Sequence, residues 1–268
     1  MTKYILSLAL LLFIGIQSFA LNPSREYKVK PDKYGMVYRE EKIGTKDGAS
    51  LTAWFFVAPK HVTNWIVISG SGDGNMADDL ELTSQFLSAG WNVCMYDYRG
   101  YGSSSDFAID ADTYIYPQFV TDLNAVLDYL RKTRAITKFD LFGKNIGAGL
   151  SLGVGSQRPE TRKIIADGPW TSLEQMKNKI KAKKNKDVII PFGYNKNFEP
   201  LFGCGNSVPH LKGAMVIVSA QDELVNPQDV AALKCISSTY VVKSPSNDEN
   251  FTTDKNTYFE KITRFLTQ

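Results

Sequence analysis

Asn145 stands in the middle of Gly143-Lys144-Asn145-Ile146-Gly147, directly after the apolar run Phe139-Asp140-Leu141-Phe142 and before the small-residue stretch Gly147 to Gly155. A buried strand, a Gly-x-x-x-Gly turn and a helix, in that order, make the connection that lifts a nucleophile to the end of a sheet. The glycines let strand and helix approach closely. The residue between them takes a strained backbone conformation, which asparagine tolerates better than most. Chemically, asparagine is a poor occupant: the carboxamide nitrogen lone pair is delocalised, and no neighbouring base can turn it into an alkoxide-like attacker. The turn is therefore either a purely structural connection or an elbow that keeps its geometry without its attacking atom.

The histidines narrow the chemistry further, because the chain has only two, His61 and His210. A Ser-His-acid relay on this kind of sheet needs its histidine after the acid, in a loop near the C-terminus. His61, in Ala58-Pro59-Lys60-His61, reads as a solvated loop residue. His210 precedes Leu211-Lys212-Gly213 and the apolar run Ala214 to Val218, which puts it at the end of a strand opposite the active face. Neither is placed to act as the base. Two isolated histidines without paired cysteines indicate no zinc site. Gly70-Ser71-Gly72-Asp73-Gly74 lacks the spacing of a dinucleotide turn, so no cofactor is expected. Of the three cysteines, Cys94 is expected to be buried, and Cys204 and Cys235 read more readily as separate thiols than as a bridge, which an exported chain would permit.

Around the elbow, apolar runs alternate with helical periodicity. Val37 to Ile43 and Leu51 to Ala58 predict an opening antiparallel hairpin across Lys46-Asp47-Gly48. Trp65 to Ser69, Trp91 to Tyr96, Phe139 to Phe142, Lys163 to Ala166, Ala214 to Val218 and Tyr240 to Val242 predict further strands, with helices over about Asp78 to Ala89, Tyr116 to Arg131 and Thr253 to Leu266. This alternation requires a mainly parallel sheet covered on both faces. Residues 21–268 are expected to form a single domain.

Met1 to Ala20 carries Lys3, an apolar core from Ile5 to Ile16, and Ser18-Phe19-Ala20. That is the pattern of a signal peptide cleaved after Ala20. The apolar stretch is short for a spanning helix, so the expectation is export to the periplasm or outside the cell, with no stable transmembrane span after cleavage. With 31 basic and 28 acidic side chains in 268 residues, the chain is close to neutral, and its charge suggests no nucleic-acid partner.

Five stretches in order carry a resemblance: Ile66 to Asn75, Tyr96 to Ser104, the elbow, Ala166 to Leu173, and Ser219 to Pro227. Together they resemble the α/β-hydrolases, in particular small serine hydrolases with few cap elements. The resemblance implies an α/β-hydrolase fold, a mostly parallel central sheet with helices on both faces, and a small Lys-rich cap. It places the nucleophile at Asn145, the triad acid at Asp222, and the triad histidine at about Ser246, in a loop with no histidine. The oxyanion donors would be the backbone N–H groups of Ile146 and about Ser71. Ser69 stands where many relatives carry histidine, while Asp97 and Arg99 would fix loops. A relocated nucleophile would come from Ser71, Ser103, Ser104 or Ser105, with Lys144 as its base.

The segment about 171–207 falls where a cap would be. Thr171 with Glu174 predicts a capping box, leading into six lysines between Lys177 and Lys186. These form either a solvated cap or a docking patch for an anionic partner. Phe192-Gly193-Tyr194, Phe198 and Phe202 would line an apolar slot beside it. Three functions follow: a non-catalytic protein binding a small molecule or anionic ligand in the former pocket, an unconventional esterase, thioesterase or peptidase, or an interaction protein acting through the lysines. The sequence leaves the oligomeric state open.

Overall fold

The structure, a computed structural model, describes residues 21–60, 62–204 and 208–268. The leader expected over residues 1–20 and His61 lie outside them. Among the described residues no helix is long and apolar enough to cross a membrane, and no group of three or more His, Cys, Asp or Glu is arranged to hold a metal ion.

Eight strands form the main sheet: β1 (Tyr38–Gly44), β2 (Ser50–Phe56), β3 (Trp65–Ser69), β4 (Asn92–Tyr96), β5 (Phe139–Lys144), β6 (Thr161–Asp167), β7 (Gly213–Ser219) and β8 (Ile236–Val242). Their order is β8-β7-β6-β5-β3-β4-β2-β1. β2 pairs antiparallel with β1 and β4, and the remaining pairs are parallel. The opening hairpin and the parallel body thus match the sequence expectation.

Helices cover both faces because the buried strands are apolar on both sides. Helices α2 (Pro117–Thr133), α3 (Ile146–Gly155) and α4 (Leu173–Lys184) pack Leu123, Leu150, Met176 and their neighbours against one face. Helices α1 (Leu80–Ser88) and α5 (Lys255–Thr267) pack Phe86, Tyr258 and Ile262 against the other.

Several local expectations change. β8 begins at Ile236 rather than Tyr240, because as an edge strand it carries exposed polar residues in Ile236-Ser237-Ser238-Thr239 and shows no continuous apolar run. The cap of α4 is Ser172, whose side chain accepts the Gln175 N–H, while the Thr171 hydroxyl turns to the Gln175 side chain. Phe192 projects fully into solvent and lines no slot, and Phe202 is half exposed. Tyr194 packs edge-on against Trp170 and, with Gly193 and Phe198, lines a groove along α2. The thiols expected to be separate are joined: Cys204 and Cys235 form a disulfide with Cα atoms 4.9 Å apart. The pairing of β8 with β7 brings Cys235 beside the short helix Pro200–Gly203, a proximity hidden by 31 residues of sequence. Cys94 is buried and free.

Candidate functional site

The elbow is built by close approach. A Cβ on Gly143 would lie 2.2 Å from the Gly147 carbonyl oxygen, and one on Gly147 would lie 2.2 Å from the Ser69 carbonyl oxygen. Only glycine lets α3 start this near β3 and β5. Asn145, at the joint, has φ +45° and ψ −106°, a strained combination for a non-glycine residue. Its N–H donates to the Asp167 carbonyl at 2.8 Å, and its own carbonyl accepts the N–H groups of Ala148 and Gly149.

The Asn145 side chain reaches Asp248, with Nδ2 donating to Oδ1 at 2.5 Å. Partial burial pushes the Asp248 carboxyl up, and the hydrogen bond from Asn145 opposes that shift. Asp222 lies in the loop following β7 and accepts three backbone N–H groups, from Leu224 at 2.9 Å, Val225 at 2.8 Å and Asn247 at 3.0 Å. Ser246 is buried and donates to Glu249 at 3.3 Å. The side chain of that loop that meets the elbow is therefore Asp248. The 3-10 turn Asn247–Glu249 swings it inward, a displacement of two residues that sequence alignment of a short polar loop cannot register. Sequence reasoning also missed Asn247 and Asn250. Asn247 accepts the Ser219 N–H and donates to the Val225 carbonyl, while Asn250 donates to Asp167 behind the elbow.

The Ile146 N–H, expected as an oxyanion donor, points at the Ser71 carbonyl at 3.4 Å, and the Gly147 N–H donates to the Gly70 carbonyl at 3.2 Å. The loop thus offers the elbow an acceptor where an incoming anion would need a donor. The loop is held there by Tyr98, whose hydroxyl donates to the Gly70 carbonyl, and by Tyr101, which donates to the Gly72 carbonyl. Ser69 is buried against the Tyr96 hydroxyl at 3.1 Å.

Of the alternative nucleophiles, Ser71 lines the cavity, its hydroxyl engaged with the Asp73 backbone. Ser104 and Ser105 side chains accept the N–H groups of Thr52 and Ser50, and Ser103 lies outside the cavity lining. Lys144 pairs with Asp79 at 3.0 Å, which raises its pKa and holds it as a cation. Asp97 accepts from the Tyr27 hydroxyl and the Met76 N–H, and burial pushes its carboxyl up to about 6. Arg99 bridges buried Asp122 and half-exposed Asp47. Both brace loops instead of facing the cavity. His210 lies in the turn before β7, away from the elbow, with its Nε2 buried and unpartnered.

A cavity of about 560 Å³ opens over Asn145, Asp222 and Asp248, with Tyr114, Met176 and Leu224 as apolar walls. Its ionisable lining comprises Lys28 and Lys144 against Asp73, Asp78, Asp222 and Asp248. A larger groove of about 860 Å³ runs along α2 and the end of β1, and contains none of the elbow residues.

The sheet order, the covering helices and the strand-to-helix elbow define an α/β-hydrolase fold. Residues 66–193 match the profile of the serine aminopeptidase S33 family. The chain is similar to the alpha/beta hydrolase domain-containing protein WAV2 of Arabidopsis thaliana, at 25% identity over 174 residues covering 63% of this chain and 52% of WAV2. It is also similar to an uncharacterized membrane protein of Saccharomyces cerevisiae, at 24% identity over 91% of this chain and 84% of the yeast protein. The chain spans about half the length of WAV2 and of the Mycobacterium tuberculosis and Escherichia coli relatives it also matches. Among solved structures, an esterase of Pyrococcus furiosus superposes with a TM-score of 0.73 at 17% identity, over 92% of this chain and 97% of the esterase.

Proposed function

We propose that this chain is an exported, non-catalytic α/β-hydrolase-like protein that binds a small molecule in the cavity over the elbow. The observation that carries the reading is the Asn145–Asp248 pair: a carboxamide held by a carboxylate occupies the place where attack and proton transfer would need a hydroxyl and an imidazole. Asp222, spent on three loop amides, supports the same conclusion. The cavity volume lies within the range of small-molecule sites. An anionic ligand has less support than a neutral one, because four carboxylates line the cavity against two lysines and the Ser71 carbonyl faces the Ile146 amide. The disulfide supports export, since such bonds persist in oxidising compartments.

A second reading, hydrolysis from a relocated serine, is favoured by the esterase among the structural neighbours and would fall on Ser71. The protonated, ion-paired Lys144 weighs against it. Interaction through the Lys-rich helix has less support, because Lys179, Lys181, Lys184 and Lys186 pair with Asp229, Asp187, Glu223 and Asp112.

The test is hydrolysis of nitrophenyl esters of short and long chain, and of a thioester, by the purified protein beside N145A and S71A. Rates equal to N145A and S71A at the level of buffer are expected, together with thermal stabilisation by a neutral compound library member that M176W abolishes. Turnover lost in S71A would establish the second reading instead.

A further inference from the structure

Asn145 is one of three non-glycine residues with positive φ among those described, beside Ala135 and Asn185. Asn185 has the ordinary left-handed values of φ 50° and ψ 30°. Asn145 differs in ψ, at −106°. Because Cβ is offset from the backbone nitrogen by a third of a turn about the Cα–C bond, this ψ leaves Cα–Cβ nearly eclipsed with the C–N bond to Ile146. Helical or extended ψ values swing the Ile146 nitrogen away from the side chain. At the elbow, Cβ and the next backbone nitrogen therefore lie on the same side of the Cα–C bond, so that rotation about Cα–Cβ alone brings the side-chain carbonyl carbon to that nitrogen, one bond short of a five-membered ring.

The surrounding groups suit closure of that ring. Ile146 is the first residue of α3, so its N–H has no place in the helical ladder. Its acceptor is the Ser71 carbonyl at a long 3.4 Å. The group that would leave, Nδ2, is in contact with the Asp248 carboxyl. The Oδ1 side lies against Gly168, where even a Cβ would come within 2.7 Å. The carboxamide is thus fixed at both ends.

We propose that Asn145 is a self-modifying residue whose side chain closes onto the Ile146 nitrogen, releasing ammonia. In this step the bond from Asn145 Cγ to Ile146 N forms and the Cγ–Nδ2 bond breaks. The Ile146 nitrogen gives up its proton through solvent to the Asp248 carboxylate, and Asp248 passes it to the departing nitrogen, so that ammonia leaves, Asp248 returns to its starting state and a cyclic imide remains. Water then adds to one imide carbonyl. Opening at the backbone side gives isoaspartate, and opening at the side-chain carbonyl gives an ordinary aspartate. Aspartate would stand against Asp248 as a pair of carboxylates sharing one proton. The proposal rests on the elbow geometry and holds whether or not the cavity takes a ligand.

The experiment is mass spectrometry of the full-length purified protein during incubation at neutral pH, folded and in urea. Chymotrypsin, cutting after Phe142, keeps Asn145 internal to its peptide, whereas trypsin would cut at Lys144. The folded protein should accumulate a peptide lighter by one ammonia, or one in which the amide is replaced by a carboxyl, faster than the unfolded chain does. D248N should slow this on the order of a hundredfold, the scale of a lost general acid. An intact carboxamide in the folded protein, or equal rates folded and unfolded, would overturn the proposal, and the unfolded comparison uses the unmodified sequence, so it stands even if D248N folds poorly.

Discussion

At the scale of single residues, the loop side chain that meets Asn145 is Asp248, whereas Ser246, where the resemblance places the triad histidine, turns to Glu249. Restoring a relay therefore means N145S with D248H, because the residue at 248 is the one that meets the elbow. Ester turnover is expected in that double variant, and none in N145S/S246H, where the imidazole would face Glu249; a nitrophenyl ester assay separates the two. The buried acids make a second prediction. Burial pushes both Asp97 and Asp167 up to about 6, above an unfolded value near 3.8. Between about pH 4 and pH 6 the folded chain thus holds more protons than the unfolded chain, and stability falls as pH rises through that window. Asp47, lowered to about 2 first by its hydrogen bonds from Arg99, acts oppositely and below it: its contribution is lost as pH falls from about 4 toward 2. D167N should flatten the upper slope by roughly 1–3 kcal/mol, measured as thermal midpoint against pH. Asn145 is legible in the sequence from the glycines that flank its turn, and Asp222 from the resemblance carried by Ser219 to Pro227. Asp248 is not, because which residue of a polar loop faces inward depends on the 3-10 turn Asn247–Glu249.

At the scale of elements, the strand-to-helix connection is limited by backbone contact, not by side-chain packing. Gly147→Ala would drive a methyl group into the Ser69 carbonyl, 2.2 Å away, and should lower stability by about 1–3 kcal/mol, read from urea denaturation. The residues that demand this, Gly143 and Gly147, are visible in the sequence as a spacing. Most strands were equally legible, since β3, β4, β5 and β7 are nearly continuous apolar runs buried on both faces. Only the last three residues of β8 are legible, because Ser237, Ser238 and Thr239 interrupt the apolar pattern of its first half. The start of α4 shifted by one residue because Thr171 and Ser172 are chemically equivalent caps, and only the backbone angles choose between them. The oxyanion amides illustrate a different limit: Ile146 has the expected place in the chain, but a peptide carbonyl from the neighbouring loop faces it, and no side chain records that orientation.

At the scale of the whole molecule, two apolar layers, one on each side of the sheet, hold the fold together, and a single covalent cross-link supplements them. Opening Cys204–Cys235, which closes a loop of 31 residues, should destabilise the chain by roughly 3–4 kcal/mol on the loop-entropy estimate. Thermal midpoints with and without reductant, beside C204S/C235S, would measure it. The sequence could not settle this pairing, because the two cysteines meet only after β8 has docked on β7. The same bond encloses β7 and the Asp222 loop in a covalent ring. A protease cutting once anywhere inside that ring would leave a protein of unchanged size on a non-reducing gel, falling into two fragments only when thiol is added, so that damage to the loop bearing Asp222 would travel unseen with the intact molecule until it reached a reducing environment.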